Sequence, residues 1–319
     1  MAKVSVIIPA DNAMNYLPAT LKSVLQQTFI DFEVLIVGDG NTDHLLEWTD
    51  LLVDPRVKLI FQKAQGIAAA RNTGVAEAQG EYIAFLDTDD LWESTKLEKQ
   101  VNYLEDNPKI GLVHTNIVLV NWQVKSLDRI TTFNAEDDAL KQLLEQNAVM
   151  TSSVMVRSSC LKTVGEFDIN LRSSEDWDMW VRIAARYPCA VIKEPLVYYR
   201  EDTKNTKKNW QILEQDLQLL ERVFQSVSKE LVSLKNRSYG YANINLAWKA
   251  LRNGDRQQAR YFQKQAIAFH PRLRYSTQCI RLNIAIAIIQ CLGFDSFSKV
   301  LSLTYTLRKR VTSLIAQQP

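Results

Sequence analysis

The chain has 319 residues, 46% of them hydrophobic, enough to bury a sizeable core and to suggest one large domain with a smaller one. A formal net charge of +2 and an isoelectric point near 8.2 exclude any global electrostatic drive toward nucleic acid. Cys160, Cys189, Cys279 and Cys291 lack CxxC spacing, and His44, His114 and His270 form no metal-spaced cluster. Zinc-site and disulfide frameworks are therefore excluded, and the cysteines read as buried thiols in a reducing compartment. The run MAKVSVIIPA is too short in apolar residues for a signal peptide, so the expected location is cytoplasmic.

Val4 to Ile8 is rich in β-branched residues and reads as a first strand; Leu17, Leu21, Val24 and Leu25 then recur at helical spacing. Phe32 to Val37 is a second strand ending at Gly38-Asp39-Gly40, and Val57 to Phe61 a third. Ile67 to Ala78 is an alanine-rich helix, and Tyr82 to Leu86 a fourth strand. Such alternation predicts an α/β fold with a parallel sheet covered on both faces, whose ligands gather beyond the carboxyl ends of the strands. Asp11, Asp39 and the acids after Leu86 fall there.

From 110 to 200 the pattern loosens into shorter strands (Gly111 to His114, Ile117 to Val120, Ser153 to Val156, Ala190 to Ile192, Leu196 to Tyr199) and a helix from Trp177 to Arg186. After the polar stretch at 201–209 strand signals disappear. Trp210 to Ser233 reads as an amphipathic helix. Tyr239 to His270 reads as a helical hairpin turning at Gly254-Asp255, similar to one tetratricopeptide unit and too little for a solenoid.

The stretch YIAFLDTDDLW places Asp87, Asp89 and Asp90 within four positions at a strand end. One reading makes them caps for a helix over LWESTKLEKQVNYL. The other makes them hard oxygen ligands for Mg²⁺ or Mn²⁺, which would offset their mutual repulsion and neutralise a diphosphate. Spacing alone leaves both open.

SVIIPADNAMNYL, DFEVLIVGDGNTD, GIAAARNTGVAEAQGEYIAFLDTDD and SEDWDMWVRIA occur in this order, and over residues 3–202 the chain resembles the family 2 inverting glycosyltransferases of GT-A fold. The resemblance implies a GT-A domain over 1–205 (a nucleotide-sugar-binding half, 1–90, and an acceptor-side half, 91–205) and an all-helical appendage over 206–319. It implies a mixed sheet with helices on both faces and transfer of a sugar from a nucleotide-sugar donor, UDP-linked by preference, to a hydroxyl of a glycan or lipid-linked acceptor. On this footing Pro9, Ala10, Asp11 and Asn12 cup the nucleotide base, Asp39 bonds a uracil ring nitrogen, and Gly66, Arg71 and Asn72 lie beside the nucleotide. Asp87 and Thr88 open the DxD signature. Asp89, with Asp90 as the alternative, ligates Mg²⁺ or Mn²⁺. Asp176 is the general base, with Glu175 beside it. At a helix N-terminus Asp176 would have a lowered pKa unless Glu175 raises it; a simple N-cap is the bland alternative.

Three positions depart from the family pattern. Asp11 stands where an aromatic is usual, Gly38 precedes Asp39 where a second Asp is usual, and Asp202 replaces a His. A GDP or dTDP donor therefore stays open, as does a non-catalytic nucleotide-sugar-binding or scaffolding relative. Trp177 and Trp180 read as core rather than as a platform for the acceptor sugar. In the last third, Leu282 to Phe294 is apolar but too short to span a bilayer. With the basic segment Val300 to Ile315 it predicts either a packed helix or peripheral association with the cytoplasmic leaflet.

Overall fold

In the computed structural model, the described residues are 2–40, 45–50, 53–121, 123–131, 138–145, 147, 149–171, 174–200, 217, 219–225, 230–291 and 293. The chain forms two compact units, Met1–Thr203 with Glu221–Ser228, and Lys204–Leu220 with Lys229–Pro319.

The first unit is built on one mixed sheet. Its parallel half is β1 (Val4–Ala10), β2 (Phe32–Asp39), β3 (Val57–Gln62) and β4 (Tyr82–Phe85), in the order β3-β2-β1-β4. β1, β2 and β4 are buried along their whole length, as expected of strands covered on both faces. The intervening helices are α1 (Leu17–Leu25), α2 (Leu45–Asp50) and α3 (Ile67–Glu77). Beyond β4 the sheet turns antiparallel through β8 (Met155–Arg157), then continues with β6 (Leu112–Val120), β9 (Cys189–Arg200) and β5 (Leu91–Trp92), with β7 (Ser126–Thr131) against β6. α4 (Lys96–Asp106), α5 (Ala139–Glu145), α6 (Ser158–Val164) and α7 (Glu175–Ala184) complete this half.

Several sequence expectations change here. The paired short strands at 111–120 and at 190–199 are each one strand, β6 and β9, running parallel with a register shift around Asn116. Pro195 has no N–H to donate, so the ladder skips there, and the Asn116 side chain donates instead to the Lys193 carbonyl at 2.7 Å. The helix expected from Leu91 begins only at Lys96, because Leu91 and Trp92 pair with Tyr198 and Val197. No aspartate of the 87–90 cluster caps α4, which corrects the capping reading. The N-cap is Thr95, and the Glu93 carboxylate accepts its amide N–H at 3.0 Å.

A polar brace ties the parallel strands together. Glu33 accepts from the Ser5 hydroxyl and the Gln79 amide, both at 2.8 Å, and from Lys58 at 2.9 Å; the Gly80 amide donates to Ser5 Oγ at 2.8 Å. Burial pushes the Glu33 pKa up, but these donors outweigh it and hold the carboxyl below its ordinary value.

The second unit contains α8 (Lys235–Arg252), α9 (Arg256–Phe269) and α10, residues 277–291. The α8–α9 turn uses Gly254 at φ +82, and the Asp255 carboxylate caps α9 through the Gln258 amide at 2.9 Å. Ile244, Leu251, Phe262, Leu282 and Ile286 form its core. Cys160 and Cys279 are buried as expected, but Cys291 is exposed, lying on the outer side of α10. No helix among the described residues is long and apolar enough to cross a membrane. Asp202, the segment 300–315 and half of the helix expected over 210–233 lie outside the described residues.

A Cβ on Gly80 would stand 2.5 Å from the Ser5 amide nitrogen, a backbone atom that cannot yield without moving β1. Gly80→Ala is therefore expected to lower stability by about 2 kcal/mol in urea unfolding, within the usual cost of overpacking.

Candidate active site

The carboxyl ends of β1, β2 and β4 bring Asp11, Asp39 and Asp87 to one rim. Pro9 and Ala10 are buried in β1. Asp11 and Asn12 are exposed beyond it, with Asn12 in the left-handed region at φ 46 and donating to Asp11 Oδ1 at 3.0 Å. Asp39 staples the next loop: Oδ1 accepts from Gln62 Nε2 and the Gln65 amide, both at 2.9 Å, and Oδ2 from the Gly66 amide at 2.7 Å. Gly66, at φ +93, is the residue from which α3 starts, and a side chain there would meet nothing within 4 Å.

Asp87 to Asp90 form a turn closed by the Asp90 amide on the Asp87 carbonyl at 3.1 Å. Its backbone is held from three directions. Thr20 Oγ1 of α1 bonds the carbonyls of Thr88 (2.7 Å) and Asp90 (2.9 Å), Arg200 of β9 donates to the Asp89 carbonyl, and the Asp87 amide donates to Ser152 Oγ at 3.1 Å. Asp90 is fully buried, with Oδ2 accepting from Ser152 Oγ at 2.6 Å and Oδ1 from the Arg200 amide at 3.0 Å. Burial, then Asp89 and Asp87, push its pKa well above the usual carboxylate range. The Asp89 side chain is half-buried.

Arg71, 2% exposed, connects this turn to α7. Its Nη2 donates to Asp87 Oδ1 at 2.8 Å and its Nη1 to Glu175 Oε1 at 2.5 Å, while its guanidinium faces the Phe167 ring at 5.7 Å. Burial alone would lower its pKa, but Asp87, Glu175 and Asp176 together raise it. Asn72 does not reach toward the rim. Its amide clamps the Phe167 main chain, donating to the carbonyl at 2.9 Å and accepting from the N–H at 2.8 Å.

Asp176 lies in the first turn of α7, two residues past the N-cap Ser174. Its Oδ1 accepts from the Trp177 amide (2.7 Å) and Asn147 (3.2 Å), and its Oδ2 from Thr151 Oγ1 (3.0 Å). Burial and then the neighbouring Glu175 raise its pKa to about 6 against the opposing pull of Arg71 and these donors. Trp177 and Trp180 are buried, Trp177 Nε1 donating to the Leu143 carbonyl at 2.6 Å, so both are core.

Sequence reasoning passed over Ser152, Thr151, Thr20, Arg200 and Tyr199. The turn Thr151–Ser153 bonds Asp176 through Thr151 and the 87–90 turn through Ser152, and is itself held by Trp92 Nε1 on the Ser152 carbonyl and Gln100 Nε2 on the Ser153 carbonyl. The Tyr199 hydroxyl is pushed up by burial and then by Asp90, Asp87, Asp89 and Asp176, which marks one negative field reaching it from both motifs. Among the described residues no three His, Cys, Asp or Glu side chains converge as a metal cage. The half-buried Asp89 carboxylate in this field suits a hard divalent cation that takes its remaining ligands from a diphosphate and water.

A rim of acids at the strand ends of a mixed sheet of this topology defines a GT-A-like fold. Solved structures agree on the fold. The mannosyltransferase PcManGT from Pyrobaculum calidifontis, solved with GDP-Man and Mn²⁺, superposes with a TM-score of 0.60 at 16% identity over 99% of this chain and 88% of that one. TarS 1–349 of S. aureus with UDP gives 0.53 at 17% identity over 82% and 90%. Residues 5–161 match the profile of Glycosyl transferase family 2. TuaG of Bacillus subtilis, a glycosyltransferase assigned to teichuronic acid biosynthesis, is 30% identical over 226 residues, 65% of this chain and 85% of TuaG. The Escherichia coli UDP-Glc:alpha-D-GlcNAc-diphosphoundecaprenol beta-1,3-glucosyltransferase WfgD is 27% identical over 75% of this chain and 97% of WfgD. An uncharacterized glycosyltransferase of Rickettsia conorii is 37% identical over 58% of this chain, which spans 30% of that relative's length. The chain belongs to glycosyl transferase family 2.

Removing the buried cation leaves Glu175 uncompensated. Arg71→Met is expected to cost about 3 kcal/mol at neutral pH. Urea unfolding of the two proteins at neutral pH reads the deficit.

Proposed function

We propose that this chain is an inverting glycosyltransferase that moves a sugar from a nucleotide diphosphate donor, UDP-linked by preference, to a hydroxyl of a glycan or lipid-linked acceptor. The observation that carries the reading is the Asp176 carboxylate, held by Thr151 and the Trp177 amide at the start of α7, beside the Glu175 that Arg71 joins to Asp87 of the 87–90 turn. Inverting transfer needs one base on the acceptor side to take the hydroxyl proton as the acceptor oxygen attacks the anomeric carbon. A pKa of about 6 leaves Asp176 ionised at neutral pH and more basic than an ordinary aspartate. Residues 1–90 form the donor half, 91–205 the acceptor half and 206–319 an appendage in this reading.

In the donor half, Pro9 to Asn12 and Gly66 frame the nucleotide, and Asp39 Oδ2, which accepts from the Gly66 amide, keeps a second lone pair for a ring N–H. Asp89, rather than Asp90, is the metal ligand, since both Asp90 oxygens are engaged in the interior. Mg²⁺ or Mn²⁺ bound there supplies positive charge against the departing nucleoside diphosphate. The uridine preference follows WfgD and the UDP complex of TarS, and the lipid-linked acceptor follows WfgD; GDP, as in the PcManGT complex, is the competing nucleotide.

A transfer screen across UDP-, GDP- and dTDP-sugars with and without Mn²⁺ tests the reading. Asp176→Asn should lose roughly 10²–10⁴-fold in turnover with donor affinity retained. No turnover by the unaltered protein with any donor would leave a nucleotide-sugar-binding protein instead. The acid limb of the rate profile should fall near pH 6. The Thr151 hydroxyl bond favours the ionised carboxylate, so Thr151→Val should raise that limb, while Thr151→Ser leaves it in place.

Asp89→Ala should abolish metal-dependent donor binding at unchanged Tm. Asp90→Ala should lower stability by about 2–3 kcal/mol through the orphaned Ser152 and Arg200 donors. A stable Asp90→Ala protein that loses metal dependence would reverse the assignment.

A further inference from the structure

We infer that the helical unit carries a docking face for an anionic lipid bilayer, centred on the outer side of α10. This goes beyond the transfer reaction and does not rest on it. The apolar run at 282–294 divides in two where the structure describes it. Leu282, Ala285, Ile286 and Ile289 are buried in the core of the unit. Ile280 and Ile284 are 47% and 54% exposed, and Ala287 and Cys291 continue the same exposed line at helical spacing. A helix that satisfies its own core and still presents an isoleucine stripe has a second apolar face to account for.

Charge identifies the occupant. From Arg256 to Phe294 the sequence contains Arg256, Arg260, Lys264, Arg272, Arg274 and Arg281 and no Asp or Glu. These cations lie on α10 or on the elements beside it. Arg281 lies on one flank of α10. On the other flank a groove of about 250 Å³ is lined by Arg260 and Lys264 of α9 with Asn283 and Gln290 of α10. Arg272 and Arg274 sit in the turn before α10 with Tyr275, which is 78% exposed.

An apolar line with cations on both flanks and an aromatic at its end matches a headgroup layer, in which isoleucines enter the acyl boundary and cations stay at phosphate level. A second copy of this face would set cation against cation. The chain's own tail carries Arg308, Lys309 and Arg310, of the same sign. The opposite side of α10 is in the core of its unit, so the face lies on the bilayer.

Flotation of the full chain with phosphatidylcholine–phosphatidylglycerol vesicles, against phosphatidylcholine vesicles alone, tests this. The unaltered protein should float at least about tenfold more with the anionic vesicles, and lose that preference near 1 M salt, where the Debye length is about 3 Å. Ile280→Asn with Ile284→Asn, and separately Arg274→Gln with Arg281→Gln, should each cut flotation at least about tenfold. Both pairs change exposed side chains, so unchanged circular dichroism and Tm check the fold. Arg308→Gln/Lys309→Gln/Arg310→Gln should retain most of the binding. Absence of flotation by the unaltered protein, which would point to an acidic protein partner, overturns the inference; so does equal flotation of the α10 variants, or loss confined to the tail variant. Donor binding on the same preparations keeps this outcome separate from the catalytic one.

Discussion

The arrangement of the catalytic unit depends on one buried cation. Arg71 sits in the second turn of α3, yet its two terminal nitrogens reach elements far apart in sequence, the end of β4 at Asp87 and the start of α7 at Glu175. Two hydrogen-bonded carboxylates compensate a guanidinium that burial alone would make costly. A planar fork with fixed donor directions meets both at once, which a lysine could not do. Arg71 joins the 87–90 turn to the start of α7, alongside the second link through Thr151 and Ser152.

Around it, neutral donors do the finer positioning. Thr151 and Ser152 are adjacent in a short turn, and one bonds Asp176 while the other holds both the Asp87 amide and the Asp90 carboxyl. Asp90 at once repels its neighbours and gathers hydrogen bonds, a combination tolerated because burial favours its neutral form. Asp176 shows the same balance with a different outcome. The N-terminal dipole of α7, the Trp177 amide and Arg71 pull its pKa down, and burial with Glu175 pulls it up further. The fold thus distinguishes these acids by environment: Asp90 is sealed in the interior, while Asp89 and Asp176 are half-buried.

How much of this the sequence carried follows from range. The parallel strands were legible because each is a continuous apolar run whose pattern is local. β5 was not. Leu91 and Trp92 are helix-compatible, and only their pairing with Val197 and Tyr198, a hundred residues on, makes them a strand. The acids were legible as motifs, and their sequence order survived into one rim. Their division of labour was not, since it depends on Ser152 and Arg200, residues with no local signature that act only after the sheet has closed. Asn72 illustrates the converse: it sits in a recognisable motif, and its amide is committed to the Phe167 main chain.

The departures at positions 11 and 38 bear on whether the site has decayed. Gly38 pairs across the sheet with Phe61, and a Cβ at 38 would fall 2.9 Å from the Phe61 ring and 3.3 Å from Leu45. An aspartate there would require the Phe61 ring, 43% exposed, to swing aside. The glycine gives the Phe61 ring room against β2, so the departure at 38 goes with a packing contact. Asp39, one residue on, is held by three donors and fixes the entry to α3, from which Arg71 projects. Drift toward a non-catalytic protein would be expected to release the buried charges first, because each is expensive to keep without its partners. In this chain the buried Glu175 and Arg71 retain theirs, with Asp87 beside them, and the change at 38 leaves that network untouched.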